Sequence, residues 1–479
     1  MNAPTPSPAE IPAAPTPASR RGATVGAAAS QREAAAKRQE RREEKREEKR
    51  AEAARPQDKL LRGLLADCRR LLSEKGEANG PGIATLIVQQ IAALGDDARH
   101  RFFDNLARDF SPDPKKVLAS AMAYAQAPTN TEHLIRLTQA AEPPRQELFR
   151  RINRAPGGTA ALVRLRRALL ERLPRQPALA GVEHDLLHLL SSWFNPGFLQ
   201  MRKVDWNSPA QLLEQIIHHE AVHQVDGWDD LRRRLQPDRR CFAFFHPQLG
   251  DEPLIFLEVA LLPEMPASIA PLIDKASTPL PADRFRVAAF YSISNCEPGL
   301  RGVSLGNFLI KTVAEQLQRE LPRLRTFCTL SPIPGFANWL LAEPDFAALP
   351  HLRKAGVTEL NAARERLRGL CGGDLGALQG PAVHETLGDE GAKALHLLAS
   401  AYLAYASPTP QGDPVARFHL DNGARLERLN ARANLSGKGL RQSFGMMVNY
   451  LYDLGKVEAS HAKFRQGEVA RSRAIDTPG

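Results

Sequence analysis

The chain has 479 residues, of which 43% are apolar, and a formal net charge of +10; this length favours two to four folded domains. No apolar run could cross a bilayer and no apolar leader is recognisable, so we expect a cytoplasmic protein without membrane contact. Five scattered cysteines without C-x-x-C spacing argue against a disulfide framework or a zinc cluster. No nucleic-acid-binding signature accompanies the positive charge, which is typical of a mildly basic protein; the alternative is attraction of an anionic small ligand.

The first 56 residues predict a tail rather than a folded domain. Residues 1–30 are rich in Pro, Ala, Thr and Ser and cannot build a core, so we expect disorder. Residues 31–55 mix charges among strong helix formers without an apolar face, which predicts at most a solvated single helix. Pro56 ends this segment.

Residues 57–204 predict a helical bundle domain. Apolar residues recur three and four positions apart along successive stretches, which is the period of an amphipathic helix. Clusters of Pro and Gly separate these stretches and mark the turns between helices. Packing or self-association is the default role of such a domain, so we expect a homo-oligomer.

Residues 205–470 indicate an α+β domain with a mixed sheet and C-terminal helices. Strand-like runs rich in Phe, Val, Ile and Leu cover residues 240–247, 253–262, 286–295 and 325–330. A glycine-marked turn and an amphipathic helix, together residues 299–321, separate the last two runs. Beyond Gly335 the pattern becomes helical again, and we expect the last stretch, 437–454, to be a helix.

His219, Glu220 and His223 match H-E-x-x-H, the helical motif of zinc proteases. The apolar pattern of residues 209–222 predicts the helix, but no Gly-x-x-His extension follows to supply a third ligand. Both histidines fall beside the apolar stripe of this helix. We therefore interpret the motif as a solvated or hydrogen-bonded histidine face, and we expect no metal.

The turn before the 299–321 helix is a candidate anion-binding site. It contains Arg301, Gly302, Val303, Ser304, Leu305, Gly306 and Asn307. Backbone N–H groups at a helix N-terminus attract anions, and glycines let the backbone approach a phosphate closely. An ordinary loop is the alternative for such a turn on its own. At the end of the following strand-like run, Ser331 places a hydroxyl beside the crevice that open α/β sheets form at their carboxyl edge.

The turn resembles the Q/R-x-x-G-x-G/A motif of the GNAT acyltransferase superfamily, which binds the pyrophosphate of coenzyme A; Ser304 departs from the usual glycine. In that superfamily the pantetheine lies between two splayed strands, which would correspond here to residues 286–294 and 325–330. Longer strings resemble the malonyl-CoA decarboxylase family over roughly residues 60–460. They are FYSIS (290–294), GLRGVSLGNFLIK (299–311), LSPIPGF (330–336) and PVARFHLDNGA (414–424). The helical first domain and the Arg-Arg-Cys strand start at 239–241 fit the same family.

This resemblance implies decarboxylation of malonyl-CoA to acetyl-CoA and CO2 in fatty acid and malonate metabolism, without a metal or an organic cofactor. It implies catalysis by Ser331 and His419, coenzyme A binding by these two residues and residues 301–307, and a tyrosine, Tyr452, at the substrate site. The chemistry agrees, because loss of CO2 leaves an enolate that needs hydrogen-bond donors and a proton. Histidine, with a reference pKa of roughly 6.5, is a suitable acid near neutral pH. An acyltransferase that passes acetyl to an amine and a non-catalytic acyl-CoA-binding protein are the alternatives.

Overall fold

The computed structural model describes residues 55–74, 79–303, 306–410, 412–475 and 478. The predictions for 1–30 and for nearly all of 31–55 therefore fall outside the described residues. Ser304 and Leu305 of the predicted anion-binding turn fall outside as well, as do the side chains of residues 306–308.

Helices form the described part of the chain before residue 200. They are α1 (55–72), α2 (Gly80–Ala93), α3 (Asp96–Asp109), α4 (Pro114–Gln126), α5 (Thr131–Ala141), α6 (Pro144–Asn153), α7 (Gly158–Arg172) and α8 (Ala180–Trp193). Each helix except α4 and α5 buries an apolar stripe in a common core, where Leu64, Phe102 and Leu162 are completely shielded from solvent. This arrangement confirms the all-helical architecture predicted for the N-terminal part.

A mixed sheet follows the helical part. Its strands are β1 (Gln200–Val204), β2 (Arg239–Phe245), β3 (Pro253–Leu262), β4 (Val287–Asn295), β5 (Thr326–Thr329), β6 (Ser331–Pro332), β7 (Arg425–Asn430) and β8 (Met447–Leu451). The order is β1-β2-β3-β4-β5-β8-β6, and β7 also pairs with β8. All pairs are antiparallel except β4 and β5, which are parallel. Together with the helical part, this sheet confirms the predicted α+β class.

Further helices cover the two faces of the sheet. They are α9 (Ala210–His219), α10 (Gly227–Arg234), α11 (Ala270–Ile273), α12 (Gly306–Glu320), α13 (Phe336–Leu341), α14 (Lys354–Leu370), α15 (Val383–Thr386), α16 (Gly388–Ala401), α17 (Pro414–Asp421), α18 (Gly437–Ser443) and α19 (Val457–Arg465). On one face, α9 and α10 pack their apolar residues on β2 and β3. On the other face, α12 contributes to the largest core of the molecule.

Two segments differ from their predicted structure. Residues 200–204, at the end of the predicted helical range, form the edge strand β1, because they pair along their whole length with β2. The predicted helix over 437–454 ends at Ser443. Phe444 and Gly445 both have positive φ angles, of 50° and 77°, which a right-handed helix cannot continue through. The chain then enters β8, which pairs with β5, β6 and β7.

A wedge opens in the sheet between β4 and β5. The two strands pair only over Val287–Phe290 and Thr326–Thr329. Beyond that point β4 continues, whereas the chain after β5 turns away and Ser331 pairs with β8. Tyr291 is the extra residue of a β-bulge opposite β3, and such a bulge bends the strand locally. The two strands that the resemblance placed on either side of the pantetheine therefore do diverge.

Candidate active site

Three side chains form a buried hydrogen-bonded chain at the wedge. His419 Nε2 lies 3.0 Å from Ser331 Oγ, and His419 Nδ1 lies 2.8 Å from the hydroxyl of Tyr452. Ser331 Oγ also donates to Oγ1 of Thr329 at 2.9 Å. The structure thus brings together Ser331, His419 and Tyr452, which are at most 5% exposed although 88 residues separate the first two in sequence.

Helix α17 holds His419 in place. Asp413 caps this helix, because its Oδ1 accepts hydrogen bonds from the backbone N–H groups of Val415 and Ala416. Its Oδ2 accepts from Gly335 N at 2.9 Å, which ties the helix to the corner that follows Ser331. One completely buried carboxylate therefore sets the distance between the serine and histidine segments.

The neighbours of His419 fix its ring orientation. The ring stacks on Tyr450 of β8 with centroids 4.6 Å apart and an interplanar angle of 27°. Tyr450 also donates its backbone N–H to Oγ1 of Thr329, the acceptor of the Ser331 proton. With the Ser331 proton directed to Thr329, the proton of the imidazole ring sits on Nε2 and is donated to Ser331 Oγ. The Tyr452 hydroxyl then donates to Nδ1.

Burial determines the protonation states of His419 and Tyr452. It lowers the pKa of His419 to about 3, since removal from water disfavours the imidazolium form. It raises the pKa of the Tyr452 hydroxyl well above its ordinary value for the same reason. The imidazole of the free protein is therefore neutral at physiological pH, and its pKa lies well below the reference value of roughly 6.5 on which the sequence-based expectation relied.

The hydrogen-bonded chain borders a cavity of about 300 Å³ inside the wedge. Ser331 and His419 line one side of this inner cavity, and Ser292 of β4 lines the other. A cleft of about 560 Å³ adjoins it. The walls of both include Ile255, Asn295, Pro414 and Phe418, so the cleft and the inner cavity lie on either side of a shared neck.

Cations from separate elements surround this outer cleft. Arg301, Arg417 of α17 and Arg465 of α19 all line it, together with Gly302 and Val303. Gly302 has a φ of +84°, a conformation that favours glycine. The predicted anion-binding turn therefore reaches the cleft through its first three residues. Helix α12 begins at the predicted Gly306 and includes the backbone of Asn307.

Sequence reasoning missed Arg417 and Arg465. Arg417 lies two residues before His419 in the segment Arg-Phe-His, so its closeness to the site could have been noticed. Arg465 lies on a different helix, which packs on α17 through the contact of His461 Nδ1 with the carbonyl oxygen of Asp421. No local sequence pattern predicts that contact, because it depends on the packing of two helices that are distant in sequence.

The H-E-x-x-H segment does not form a single helix. Helix α9 ends at His219, and Glu220 is its C-cap. Glu220 turns inward and accepts hydrogen bonds from Ser292 and Ser294 and from the backbone N–H groups of residues 222 and 223. His223 is buried, so the solvated alternative is wrong for this residue, whereas a hydrogen bond with the backbone of Tyr291 fits the hydrogen-bonded one.

Among the described residues, no group of three or more His, Cys, Asp or Glu side chains is arranged to hold a metal ion. No described helix combines the length and the apolar character required to span a membrane.

Comparison with known proteins identifies relatives for both parts of the chain. The family model described as malonyl-CoA decarboxylase N-terminal domain matches residues 110–194, and the C-terminal domain model matches residues 197–478. The mitochondrial malonyl-CoA decarboxylase of Mus musculus is 35% identical over 435 residues, covering 84% of this chain and 86% of the relative. That of Rattus norvegicus is 34% identical over 415 residues, covering 80% and 82%.

Solved structures give the same result. Malonyl-CoA decarboxylase from Rhodopseudomonas palustris is 46% identical with a TM-score of 0.75, covering 87% of this chain and 98% of that chain. The enzyme from Agrobacterium vitis is 44% identical with a TM-score of 0.74, covering 86% and 98%. Both comparisons extend over the helical part and the sheet part together.

Proposed function

This chain belongs to the malonyl-CoA decarboxylase family, and from this membership we propose that it converts malonyl-CoA to acetyl-CoA and CO2. The observation that carries the proposal is the buried hydrogen-bonded chain of Ser331, His419 and Tyr452, of which Ser331 and His419 line a cavity that adjoins a cationic cleft. The phosphates of coenzyme A would occupy the cleft beside Arg301, Arg417 and Arg465. The pantetheine arm would pass the shared neck, and the malonyl group would reach the inner cavity.

The reaction needs one proton per turnover. The bond between the malonyl methylene carbon and the carboxylate breaks, and its electron pair passes into a thioester enolate as CO2 leaves. The methylene carbon then takes up a proton and becomes the methyl group of acetyl-CoA. We assign His419 as the donor of that proton, since its Nε2 faces Ser331 beside the cavity.

The substrate itself would charge His419. Its imidazole is neutral in the free protein because burial lowers its pKa to about 3. A malonyl carboxylate entering the same cavity stabilises the imidazolium form and raises that pKa, so a proton is taken up with the substrate. Loss of CO2 removes the neighbouring negative charge, and the imidazolium then becomes a stronger acid when the enolate needs its proton.

Ser331 would stabilise the oxygen that becomes negative. Its hydroxyl donates to Thr329 in the free protein and is 2.9 Å from that acceptor. Rotation toward the thioester oxygen would provide a hydrogen bond that strengthens as the enolate forms, which is the property of an oxyanion donor. Thr329 would be its resting acceptor.

The decisive experiment follows malonyl-CoA turnover with the purified protein. We expect CO2 and acetyl-CoA to appear in equal amounts without an added metal or organic cofactor. An added amine that becomes acylated while no CO2 is released would instead support an acyltransferase. Binding of malonyl-CoA without any product would support a non-catalytic acyl-CoA-binding protein, and a tightly held zinc ion in each chain would contradict the metal-free mechanism.

Self-association is a further part of the proposal. Helices α4 and α5 bury none of their residues, and they expose Leu118, Met122, Leu134 and Ile135. Contiguous exposed apolar residues mark interaction surfaces, and we propose that a second copy of the chain covers this hairpin. Replacement of Leu118 and Ile135 by Glu should reduce the mass measured by light scattering. An unchanged mass would contradict this assignment. The cytoplasmic location and the metabolic pathway stay predictions.

A further inference from the structure

Arg166 connects the helical bundle to the turn beside the outer cleft. Its guanidinium donates through Nη1 to the carbonyl oxygen of Gly299 and through Nη2 to that of Arg301, both at 2.7 Å. Nη2 also donates to Oε1 of Glu183 on α8 at 2.7 Å. The residue is only 1% exposed although it belongs to α7, outside the sheet domain.

Close packing accompanies these bonds. A Cβ atom added at Gly299 would lie 2.2 Å from the backbone oxygen of Val163, so the turn rests directly against α7. A Cβ atom added at Gly302 would lie 3.7 Å from Leu187 of α8 and 3.9 Å from Arg166 Nη2. The backbone of the turn is therefore shaped by two helices of the bundle as well as by its own glycines.

The direction of the two carbonyl groups matters for an anionic ligand. Arg166 holds the oxygens of Gly299 and Arg301 toward the bundle, where they accept charge-assisted hydrogen bonds. Without that donor both oxygens would lose a buried partner, and the turn would gain freedom to rotate them toward the cleft. A carbonyl oxygen facing a phosphate repels it, whereas a backbone N–H attracts it.

We propose that Arg166 is a positioning residue for coenzyme A, and that the helical bundle thereby forms part of the substrate site. It fixes the backbone of residues 299–303 in the conformation that receives the phosphates, without touching the substrate. The inference rests on the proposed function in one respect, namely that coenzyme A occupies the outer cleft.

Arg166→Gln tests this role, with Arg145→Gln as a matched control. Arg145 is 6% exposed and pairs with Asp185 inside the helical bundle, and it has no hydrogen bond to the described residues of the turn. Both variants should lower the melting temperature. Only Arg166→Gln should raise KM for malonyl-CoA, by roughly tenfold with kcat changed less than about threefold. Equal KM values in both variants would overturn the proposal.

A truncated substrate locates the effect. Malonyl-pantetheine lacks the nucleotide and its phosphates, so we expect Arg166→Gln and the wild type to have the same KM for it. A KM for malonyl-pantetheine that rises as much as that for malonyl-CoA would contradict a role at the phosphates. If Arg166→Gln does not fold, Arg166→Lys retains the charge and one carbonyl contact, and a rise of about threefold is expected. An Arg166→Lys KM equal to that of the wild type would then overturn the proposal.

Calorimetric titration with coenzyme A separates this inference from the proposed function. If the wild type binds coenzyme A without turning over malonyl-CoA, the decarboxylase proposal fails, and Kd can still be compared. A Kd raised about tenfold in Arg166→Gln and not in Arg145→Gln supports the positioning role. Equal Kd values contradict it, and a wild type that does not bind coenzyme A contradicts it as well.

Discussion

Two buried histidines, His419 and His223, have similar protonation behaviour in different surroundings. Burial lowers the pKa of each to about 3. His419 has a partner at both ring nitrogens and lines a cavity, whereas Nε2 of His223 has no hydrogen-bond partner among the described residues. A shifted pKa therefore does not distinguish a catalytic group from a structural one. The partners and the access to a cavity do so.

Replacement of each histidine by Asn should give the largest difference between the two sites. His419→Asn should lower kcat by roughly 10²-fold or more, because the proton donor is lost. His223→Asn should leave kcat within about threefold, because His223 does not line the cavity. Steady-state assays of malonyl-CoA turnover measure both. Similar losses in the two variants would remove the distinction.

Glu220→Gln should reveal the structural character of the second site. The carboxylate accepts hydrogen bonds from two serine hydroxyls and two backbone N–H groups, and it is 8% exposed. An amide supplies one acceptor oxygen in place of two, so we expect a loss of about 2 kcal/mol in the free energy of unfolding. Urea denaturation measures this loss. An unchanged stability together with loss of a bound metal would instead restore the zinc-protease interpretation.

The sequence predicted the local elements of the fold better than the contacts that build the site. Strand and helix patterns predicted β2 to β5 and α12, because the strands are runs rich in Phe, Val, Ile and Leu and the helix has a clear amphipathic period. They did not bring Ser331 to His419, since the contact spans 88 residues and only the family resemblance joined them. Arg166 had no signal at all, because it is one of several arginines in a basic helix and only tertiary packing selects it.

The helix predicted over residues 209–222 ends early, at His219, for a local reason. Residues 209–222 have a helical period, but the side chain of Glu220 offers its backbone neighbours a better acceptor than the next helical turn does. The strand β8 was missed because residues 437–454 contain a break at Phe444, a non-glycine residue with positive φ. Neither competition is visible in a pattern of apolar spacing.

The free energy of unfolding should depend on pH in a way that reveals the protonation of His223. Its folded pKa of about 3 lies below an unfolded value of roughly 6.5, so between these values only the unfolded state binds the proton. The stabilisation is complete above pH 6.5 and is lost as pH falls, by about 1.4 kcal/mol per pH unit.

The wild type and His223→Asn must be compared, because Glu258 has the opposite effect. Burial raises the pKa of Glu258 to about 7, so protonation of this group favours the folded state as pH falls. We expect chemical denaturation between pH 4 and 6 to give a slope of the unfolding free energy against pH that is lower for His223→Asn than for the wild type. The difference should correspond to about one bound proton. Parallel curves would mean that His223 is protonated in the folded protein.

Tyr452→Phe should have the smallest effect on turnover. It measures what the hydrogen bond to Nδ1 contributes to the function of His419. The change removes the hydroxyl 2.8 Å from Nδ1 and leaves that nitrogen buried without a donor. The Nε2 tautomer then loses about 1 kcal/mol of stabilisation, so we expect kcat to fall roughly fivefold while KM for malonyl-CoA changes little. Steady-state kinetics measures the split between kcat and KM. A kcat loss as large as that of His419→Asn would make Tyr452 a proton donor in its own right, and a rise in KM alone would make it a binding residue.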